Sequence, residues 1–560
     1  MFTHRRSLDL VALLVVVLTM LAACGPTAAP VETIVTQVVK ETVVVPGTPE
    51  VVEKEVTKVV QETVEKVITA TPPPANLPKG TLTVAIAAPI DTLDPLMGGN
   101  VNIQNVGWTV YEGLTYLNAK QEVEPRLAES WDVVDPTTYV FHLRKGVTFQ
   151  NGEPFNADAV IYSIQRLATP TFANSGQFQT IKNVEKIDDY TVKITTKSPD
   201  PLFLKRMGMN AANMYPPKYA EEAGVEGVSQ KPIGTGPFMF KEWVRGEKVV
   251  FEAWPEYWGG PGIAKVQTLI WKSIPEDDAR VAALETGEID VAVSLAPTML
   301  GPVMDNPRLR LSRALSTRVF YLMFDNVGTG KGTPIEDKRV RQALIYAIDR
   351  DAIVKAVFQG NAQVIATIIG PSQFGWNPDL APLPYDVEKA KALLAEAGYP
   401  NGFEVSVGCP TGVYANVAEA CQALVGYLNE AGVKATLQMR EAGLFYNMIT
   451  DHTIDPISFD GAGDRYGDPS FPVGLVLRKD SPYTTWYNDT IDNLLVAGDS
   501  TVDQSERKKI YFELQDVMLA DPPCIPLWQV YNYVGVNTRV TDFAARANEM
   551  MDFRGVGLQE

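Results

Sequence analysis

From Lys79 to the end of the chain, strand-like segments alternate with helix-like segments, and this alternation is the strongest constraint on the fold. The segments "GTLTVAIAA" and "TYVFHLRKGVTF" are rich in the β-branched and aromatic residues typical of strands. The segment "NADAVIYSIQRLA" has apolar residues at helical spacing, and Asn156 stands where it can cap that helix. No segment recurs at a fixed period, which disfavours solenoids and propellers. The pattern predicts a mixed α/β protein.

The same alternation continues towards the C-terminus. The segment "VEKIDDYTVKITTK" predicts a hairpin that turns near Asp188 and Asp189. Further helices are predicted in "DKRVRQALIYAIDRDAIVKAVFQG" and "DVEKAKALLAEAG", and further strands in "AGVKATLQM" and "CIPLWQVYNYVGV". With 560 residues, the chain is long enough for roughly three domains.

The N-terminus indicates the compartment. Arg5 and Arg6 precede the apolar run Leu10 to Leu21, which is shorter than the roughly 20 helical residues that span a bilayer but suits a secretion signal. The run ends in "LAAC", which resembles a bacterial lipobox. We therefore predict a lipoprotein signal peptide over residues 1–23 and lipid attachment to Cys24. An extracytoplasmic protein, lipid-anchored to the cell membrane, is the expected result.

Residues 24–78 differ in composition from the rest of the chain, because Val, Thr, Glu and Lys dominate and prolines interrupt them. The helical spacing of Val56, Val60, Val64 and Val67 leaves a short coiled coil open. The many β-branched residues favour a flexible stalk, which as a coil of fifty residues would reach roughly 40 Å.

Charge and motifs exclude several classes of function. The net charge of −18 argues against a nucleic-acid partner, which would attract basic patches. The segment "GTGKGT" is no phosphate loop, because Asp325 replaces the first glycine and Gly332 replaces the hydroxyl residue that would hold magnesium. The sequence has no G-x-S-x-G, H-E-x-x-H or C-x-x-C motif. We therefore predict that the protein is not an enzyme and needs neither a cofactor nor a metal.

Apart from Cys24, three cysteines remain, so at least one is unpaired in a monomer. Cys409 ends a strand-like segment and Cys421 lies in the helix-like segment that follows. A Cys409–Cys421 disulfide is a candidate that the sequence leaves open. Cys524 is expected to be a small buried apolar residue.

Several phrases occur together and in order. They are "LAESWDVVDPTTYVFHLRKGVTFQNGEPFNADAVIYSIQR", "PIGTGPFMFKEW", "PEYWGG", "EDDARVAALETGEIDVA", "DKRVRQALIYAIDRDAI", "AKALLAEAGYPNG" and "DPPCIPLW". From about residue 80 to its end, the chain resembles the family 5 extracytoplasmic solute-binding proteins. This is the peptide- and nickel-binding class that serves ABC importers.

The resemblance implies a two-lobed periplasmic-binding-protein fold (type II, cluster C) with an extra inserted domain. Lobe I would combine residues 79–112, 233–318 and 525–560, the inserted domain would be 113–232, and lobe II would be 319–524. Ligand-driven closure of the lobes would present the solute to ABC permease subunits, and the protein would act as a monomer. The default ligand is a dipeptide or oligopeptide. An oligosaccharide, an acidic solute, or a role as a ligand-presenting sensor or peptide chaperone remains an alternative.

The segment "FDGAGDRYGDPS" is the candidate ligand loop, because Gly461 and Gly463 allow close approach to the backbone. In peptide-binding relatives, the corresponding loop supplies an aspartate for the peptide ammonium group. Alignment through Tyr466 and Asp468 places Arg465 at that position. In an extended chain, Asp464 would face the opposite way. Arg465 is therefore predicted to clamp a carboxylate or a hydroxyl-rich ligand. The alternative is a surface ion pair between Arg465 and Asp468.

Aromatic residues near the expected pocket edges are further candidates for ligand contact. A sugar ring or an apolar side chain could stack on them. The candidates are Trp108, Trp376, Trp486, Tyr487 and Tyr321.

Overall fold

The structure is a computed structural model that describes residues 77–98, 101–170, 172, 174–209 and 212–559, together with the backbone of 33–44 and 51–62. The chain divides into two compact units, Met1–Ala75 and Asn76–Glu560. The predicted signal peptide and Cys24 lie outside the described residues. Within the described ranges, no helix has both the length and the apolar character needed to cross a membrane.

In the first unit, the strand Thr33–Val44 pairs with the strand Val51–Glu62 in an antiparallel hairpin, with Thr33 opposite Glu62. Val56 and Val60 therefore lie in a strand, and the coiled-coil alternative is wrong for this segment. The β-branched residues that weaken a helix here are the residues that favour a strand. Val64 and Val67 lie outside the described residues.

The second unit is built around one large mixed sheet. Its strands, in spatial order, are Phe238–Val244, Lys248–Ala253, Thr268–Ser273, Thr81–Ile86, Val291–Ala292, Cys524–Asn537, Leu309–Phe324, Ile457–Ala462, Glu404–Thr411 and Lys434–Glu441, and Ala362–Val364 also pairs with Cys524–Asn537. A separate four-stranded sheet has the order Ala128–Asp135, Thr138–Leu143, Thr191–Thr196 and Ile181–Asp188. Two short ladders join Thr115–Leu117 to Val123–Pro125 and Val540–Thr541 to Gly557–Leu558.

Helices cover these sheets. They are Val101–Val110, Ala157–Leu167, Phe203–Arg206, Pro217–Gln230, Asp277–Thr286, Leu300–Asp305, Lys338–Tyr346, Arg350–Val357, Val387–Glu396, Val417–Glu430, Ala442–Thr450, Ser470–Leu477, Asp489–Ser500 and Gln504–Ala520. The Asn156 side chain accepts hydrogen bonds from the backbone N–H groups of Asp158 and Ala159, which confirms the predicted cap. The prediction of a mixed α/β protein is also confirmed.

Two long strands, Leu309–Phe324 and Cys524–Asn537, connect the two halves of the large sheet, and we call them the crossing strands. Leu309 to Leu315 pair with Tyr531 to Asn537, whereas Val319 to Met323 pair with residues 524–529. Between these stretches, the register shifts and residues 316–318 leave the ladder. The chain thus passes from one half of the large sheet to the other where the strand pairing is interrupted, and not through a flexible linker.

Separate apolar cores lie on the two sides of this interruption. One contains Leu82, Phe251, Trp271 and Val534, and another extends from Val319 to Trp528. Ile525, Leu527 and Trp528, which we predicted in lobe I, pack in the second of these cores. The reason is that residues 524–529 still pair with Val319 to Met323.

A third core extends from Leu96 to Met214 and includes the four-stranded sheet. Tyr215, Ala220 and Val228, which we predicted in the inserted domain, instead pack with Leu82 and Trp271. The helix Pro217–Gln230 therefore belongs to the core of the first half.

Cys409, in the strand Glu404–Thr411, and Cys421, in the helix Val417–Glu430, form a disulfide with a Cα–Cα distance of 6.6 Å. Both cysteines are fully buried. Cys524 is free and buried at the start of the second crossing strand.

Candidate ligand-binding cleft

A cavity of about 410 Å³ lies beside the interruption of the crossing strands, and we call it the central cavity. Its walls come from both apolar cores. Residues from the first half include Leu295, Tyr533, Val534 and Met551, and residues from the second half include Phe320, Phe358, Val417 and Phe459. A solute in this cavity would contact both halves of the large sheet at once.

Aromatic rings form much of one wall. Phe320 packs edge-on against Tyr414, with 4.9 Å between the ring centroids, and stacks on Phe459 at 5.6 Å. Gly461 lies behind this group, and a β-carbon at that position would come within 2.6 Å of the Phe320 ring. The glycine is therefore needed so that the backbone can pass directly behind the ring.

Arg318 is a charged group of the central cavity, and it leaves the sheet at the interruption of the ladder. Its Nη1 donates a hydrogen bond of 3.3 Å to the carbonyl oxygen of Gly461, and its guanidinium carbon lies 5.7 Å from the centroid of the Tyr414 ring. The Tyr414 hydroxyl donates to a carboxylate oxygen of Asp460 at 2.8 Å and approaches the Gly461 carbonyl at 2.7 Å. Burial raises the pKa of Asp460, while the hydrogen bond from Tyr414 and the charge of Arg318 oppose that shift.

Arg546, Asp277 and Glu549 also border the central cavity. Arg546 is engaged within the protein, because its Nη2 lies 3.2 Å from a carboxylate oxygen of Asp552 and its Nη1 donates to the Leu117 carbonyl. Asp277 forms an ion pair with Arg280. These partners leave Arg318 and Glu549 as the charged residues of the cavity that have no ion pair within 4.0 Å among the described residues.

A second cavity of about 710 Å³ lies between residues 174–206 and the candidate ligand loop, and we call it the outer cavity. Its lining includes Asp200, Arg206, Gly463, Asp464 and Arg465. Arg465 and Asp464 thus border the outer cavity and not the central one. The role of Arg465 as an anion clamp stays a prediction.

The local backbone explains this placement. Asp464 is not in an extended segment, because its carboxylate accepts hydrogen bonds from the backbone N–H groups of Tyr466 and Asp468. The chain turns at this point, so Asp464 and Arg465 border the same cavity. Burial and the neighbouring charge of Asp468 raise the pKa of Asp464 to about 7, although the bonds from the two backbone N–H groups oppose the shift.

Asp468 forms its ion pair with Arg507 and not with Arg465. Its carboxylate receives two hydrogen bonds from Arg507, from Nη1 at 2.6 Å and from Nη2 at 2.7 Å, and both side chains are at most 1% exposed. Burial alone would raise the pKa of Asp468, but the bonds and charge of Arg507 hold it below its usual value. The surface pair between Arg465 and Asp468 is therefore wrong, because Arg507 holds both carboxylate oxygens inside the protein.

Two of the predicted aromatic contacts, Tyr321 and Trp486, are buried and border neither the central nor the outer cavity, so their contact with a ligand stays a prediction. Tyr321 is fully buried, and its neighbour Phe320 faces the central cavity instead, as the alternation of side chains along a strand requires. Trp486 is 4% exposed and packs against Phe324, with the Arg341 guanidinium 4.3 Å from its ring centroid.

The other three aromatic residues border neither the central nor the outer cavity. Trp376 packs half-buried against the core of the second half. Tyr487 is 44% exposed, and its backbone is hydrogen-bonded to the Asn326 side chain. Trp108 lies beneath Arg546, whose guanidinium carbon is 5.5 Å from its ring centroid, so it supports a cavity residue without lining the cavity.

Sequence reasoning missed Phe320, Tyr414, Phe459, Arg318 and Glu549. The alternation along the first crossing strand is a usable signal for Phe320, since it must face the side of the sheet opposite to Tyr321. Glu549 lies in the irregular segment after the last long strand, where no periodicity indicates which side chain faces a cavity.

Comparison with known proteins points to one family. The family model "Bacterial extracellular solute-binding proteins, family 5 Middle" matches residues 122–483. Heme-binding protein A of Haemophilus influenzae is 29% identical, over 80% of this chain and 87% of its own length. Di/tripeptide-binding protein 1 of Pseudomonas aeruginosa is 30% identical, over 78% of this chain and 86% of its own length.

Solved structures agree with the sequence relatives. The structure of HbpA2 from Haemophilus parasuis matches with a TM-score of 0.79 and 30% identity, and the match covers 86% of this chain and 100% of that one. The periplasmic binding protein DppA from Helicobacter pylori, in complex with the peptide STSA, matches with a TM-score of 0.69 and 25% identity, covering 86% and 99% of the two chains. These neighbours support the two-lobed binding-protein fold and a role in solute binding rather than catalysis. The chain belongs to the bacterial extracellular solute-binding proteins of family 5, the substrate-binding proteins of ABC importers.

Proposed function

We propose that this protein captures a short peptide in the central cavity and delivers it to the permease of an ABC importer. The cavity carries the proposal, because it joins an aromatic and apolar wall to Arg318 and Glu549, while its other two charged residues, Asp277 and Arg546, form ion pairs within the protein. Its volume of about 410 Å³ lies within the usual range of roughly 300–1,000 Å³ for ligand sites. Relatives named for peptide binding support this cargo.

Capture would work by closure of the two halves around the solute. A peptide that contacts Phe320 and Phe459 on one side and Tyr533 and Met551 on the other stabilises the closed form by its differential affinity. The unpaired residues 316–318 are the natural hinge, because hinges are short segments that absorb changes in backbone angle.

Arg318 would hold the carboxylate of the peptide. Among the described residues, its side chain donates one hydrogen bond, to Gly461, so further guanidinium donors can reach a ligand. Arg465 would act at the outer cavity, where it could meet a longer or anionic part of a ligand. We further propose a monomer that is tethered to the membrane through lipid on Cys24 and residues 24–78.

Oligosaccharides are less favoured than peptides. An oligosaccharide cargo is favoured by tryptophans that could stack on sugar rings at the pocket edges. In the structure, however, Trp376 and Trp486 pack in the core, and Trp108 lies behind Arg546. Acidic solutes remain a competing cargo because Arg318 and Arg465 could each hold an anion.

The test is a ligand panel measured by isothermal titration calorimetry and thermal unfolding, containing Ala-Phe, Ala-Ala-Phe, maltotriose and succinate. At a concentration of 100 Kd, a true ligand stabilises the folded protein by about 2.7 kcal/mol. We expect the peptides to bind, and we expect Arg318→Met to weaken them while the exposed control Arg245→Met does not. Binding of maltotriose or succinate without binding of either peptide would contradict a peptide cargo.

A further inference from the structure

The segment 546–551 follows the last long strand and is fixed by side-chain amides from elsewhere in the fold. The buried Asn105 donates from Nδ2 to the carbonyl oxygen of Glu549 at 3.1 Å and accepts from the backbone N–H of Met551 at 2.8 Å. Asn548 donates to the carbonyl oxygen of Arg465 at 3.0 Å. Hydrogen bonds to other parts of the fold therefore fix the chain on both sides of Glu549, at Asn548 and at Met551.

Between these anchors, Glu549 has a φ of 61°, in the left-handed region that residues with a β-carbon seldom adopt. Such backbone conformations persist where the surroundings enforce them, and they are concentrated at functional sites. Here the enforcing contacts are the two hydrogen bonds of Asn105. In this conformation, Glu549 borders the central cavity.

The Glu549 carboxylate has no hydrogen bond or ion pair within 4.0 Å among the described residues. Its charge does act on Arg465, whose pKa is lowered by burial, with Tyr466 and Glu549 opposing that shift. A carboxylate that faces a ligand cavity without an internal partner can exchange its water for a cationic ligand group.

Asp464, the acid in the candidate ligand loop, is engaged elsewhere. It accepts from the backbone N–H groups of Tyr466 and Asp468, and it borders the outer cavity. The Asp464 carboxylate is therefore already hydrogen-bonded to backbone N–H groups of its own loop. Glu549 borders the central cavity together with Arg318, and the other acid of that cavity, Asp277, is paired with Arg280.

We propose that Glu549 is the residue that receives the cationic group of the ligand, which in a peptide is the α-ammonium group. This assignment rests on the proposed peptide-binding function and deepens it, because Glu549 and Arg318 together then select a zwitterionic ligand. Blocking the ammonium group of the peptide should therefore abolish the contribution of Glu549.

The test uses isothermal titration calorimetry on the purified protein with two probes, Ala-Phe and N-acetyl-Ala-Phe. The variants are Glu549→Gln, which keeps the size of the side chain, and the exposed control Glu513→Gln. Loss of one partner from a desolvated charge pair predicts that Glu549→Gln binds Ala-Phe at least 30-fold more weakly than wild type. N-acetyl-Ala-Phe should bind wild type and Glu549→Gln with the same reduced affinity, and Glu513→Gln should behave as wild type with both probes.

The outcomes separate this inference from the proposed function. If wild type binds Ala-Phe and Glu549→Gln binds it equally well, the assignment of Glu549 is wrong while peptide binding stands. Equal weakening of both probes in Glu549→Gln would indicate a structural role and would also overturn the assignment. If neither probe binds wild type, the proposed peptide cargo itself is wrong, and the assignment loses its basis.

Discussion

The buried ion pair between Asp468 and Arg507 gives a sharp prediction about stability. Asp468→Asn removes the carboxylate that accepts hydrogen bonds of 2.6 and 2.7 Å, and it leaves a guanidinium that is 0% exposed without its counter-charge. Arg507 keeps its bond to the Gly498 carbonyl and its contact with the Tyr511 hydroxyl, but neither is charged. Breaking a buried pair by removing one partner costs about 3–5 kcal/mol, so the free energy of unfolding should fall by about that amount.

Urea unfolding followed by tryptophan fluorescence measures this change. The matched control is Asp132→Asn, at an exposed aspartate that pairs with His142, and it should leave the unfolding midpoint unchanged. A double-mutant cycle with Arg507→Met isolates the pair, since residues in direct contact show coupling of about 0.5–3 kcal/mol.

The apolar double variant Asp468→Leu with Arg507→Met adds a second comparison. Because replacing both members of a buried pair avoids an uncompensated charge, this variant should be more stable than Asp468→Asn. A free energy of unfolding for Asp468→Asn within about 1 kcal/mol of wild type would refute the reasoning. It would mean that water or other groups compensate Arg507 in the variant.

Two further predictions concern pH and redox state. The pKa of Asp464 in the folded protein, about 7, lies above its unfolded value of 3.8, so the folded state binds the extra proton and stability should fall as pH rises from about 4 to 7. Urea unfolding at pH 5 and pH 8 should show a smaller loss for Asp464→Asn than for wild type, and parallel pH profiles would contradict this. The Cys409–Cys421 disulfide closes a loop with a sequence separation of 12, so its reduction should lower the free energy of unfolding by about 3 kcal/mol. The double variant Cys409→Ala with Cys421→Ala should not respond to dithiothreitol, and an equal response of both proteins would rule out the disulfide as the cause.

The parts of the fold that depend on neighbouring residues were predictable from the sequence. The Asn156 cap, the hairpin that turns at Asp188 and the strand-helix alternation follow from local propensity, which acts over a few residues. The order of the phrases quoted above indicates the family in the same way, because these phrases belong to the scaffold rather than to the site.

Other features depended on packing between distant segments. The bounds of the two halves are an example, since residues 524–529 continue the ladder of the half that they were expected to leave. The pattern of Ile525, Leu527 and Trp528 predicts a buried strand, but either core could have buried it. Only the register with Val319 to Met323 decides between the two.

The sequence by itself determined the fold class and the local helices and strands. It also determined which residue types are available for a binding site, namely a glycine-containing loop with acids and arginines. The tertiary structure decided which of those groups meet. Phe320 rather than Tyr321 borders the central cavity, Asp468 pairs with Arg507, and Asn105 bonds the backbone of Glu549, which borders the same cavity. The physical reason is that propensities are set by adjacent residues. Partners such as Asn105 and Glu549 are 444 positions apart in the chain, and they meet only because the packed cores bring their strands and helices together.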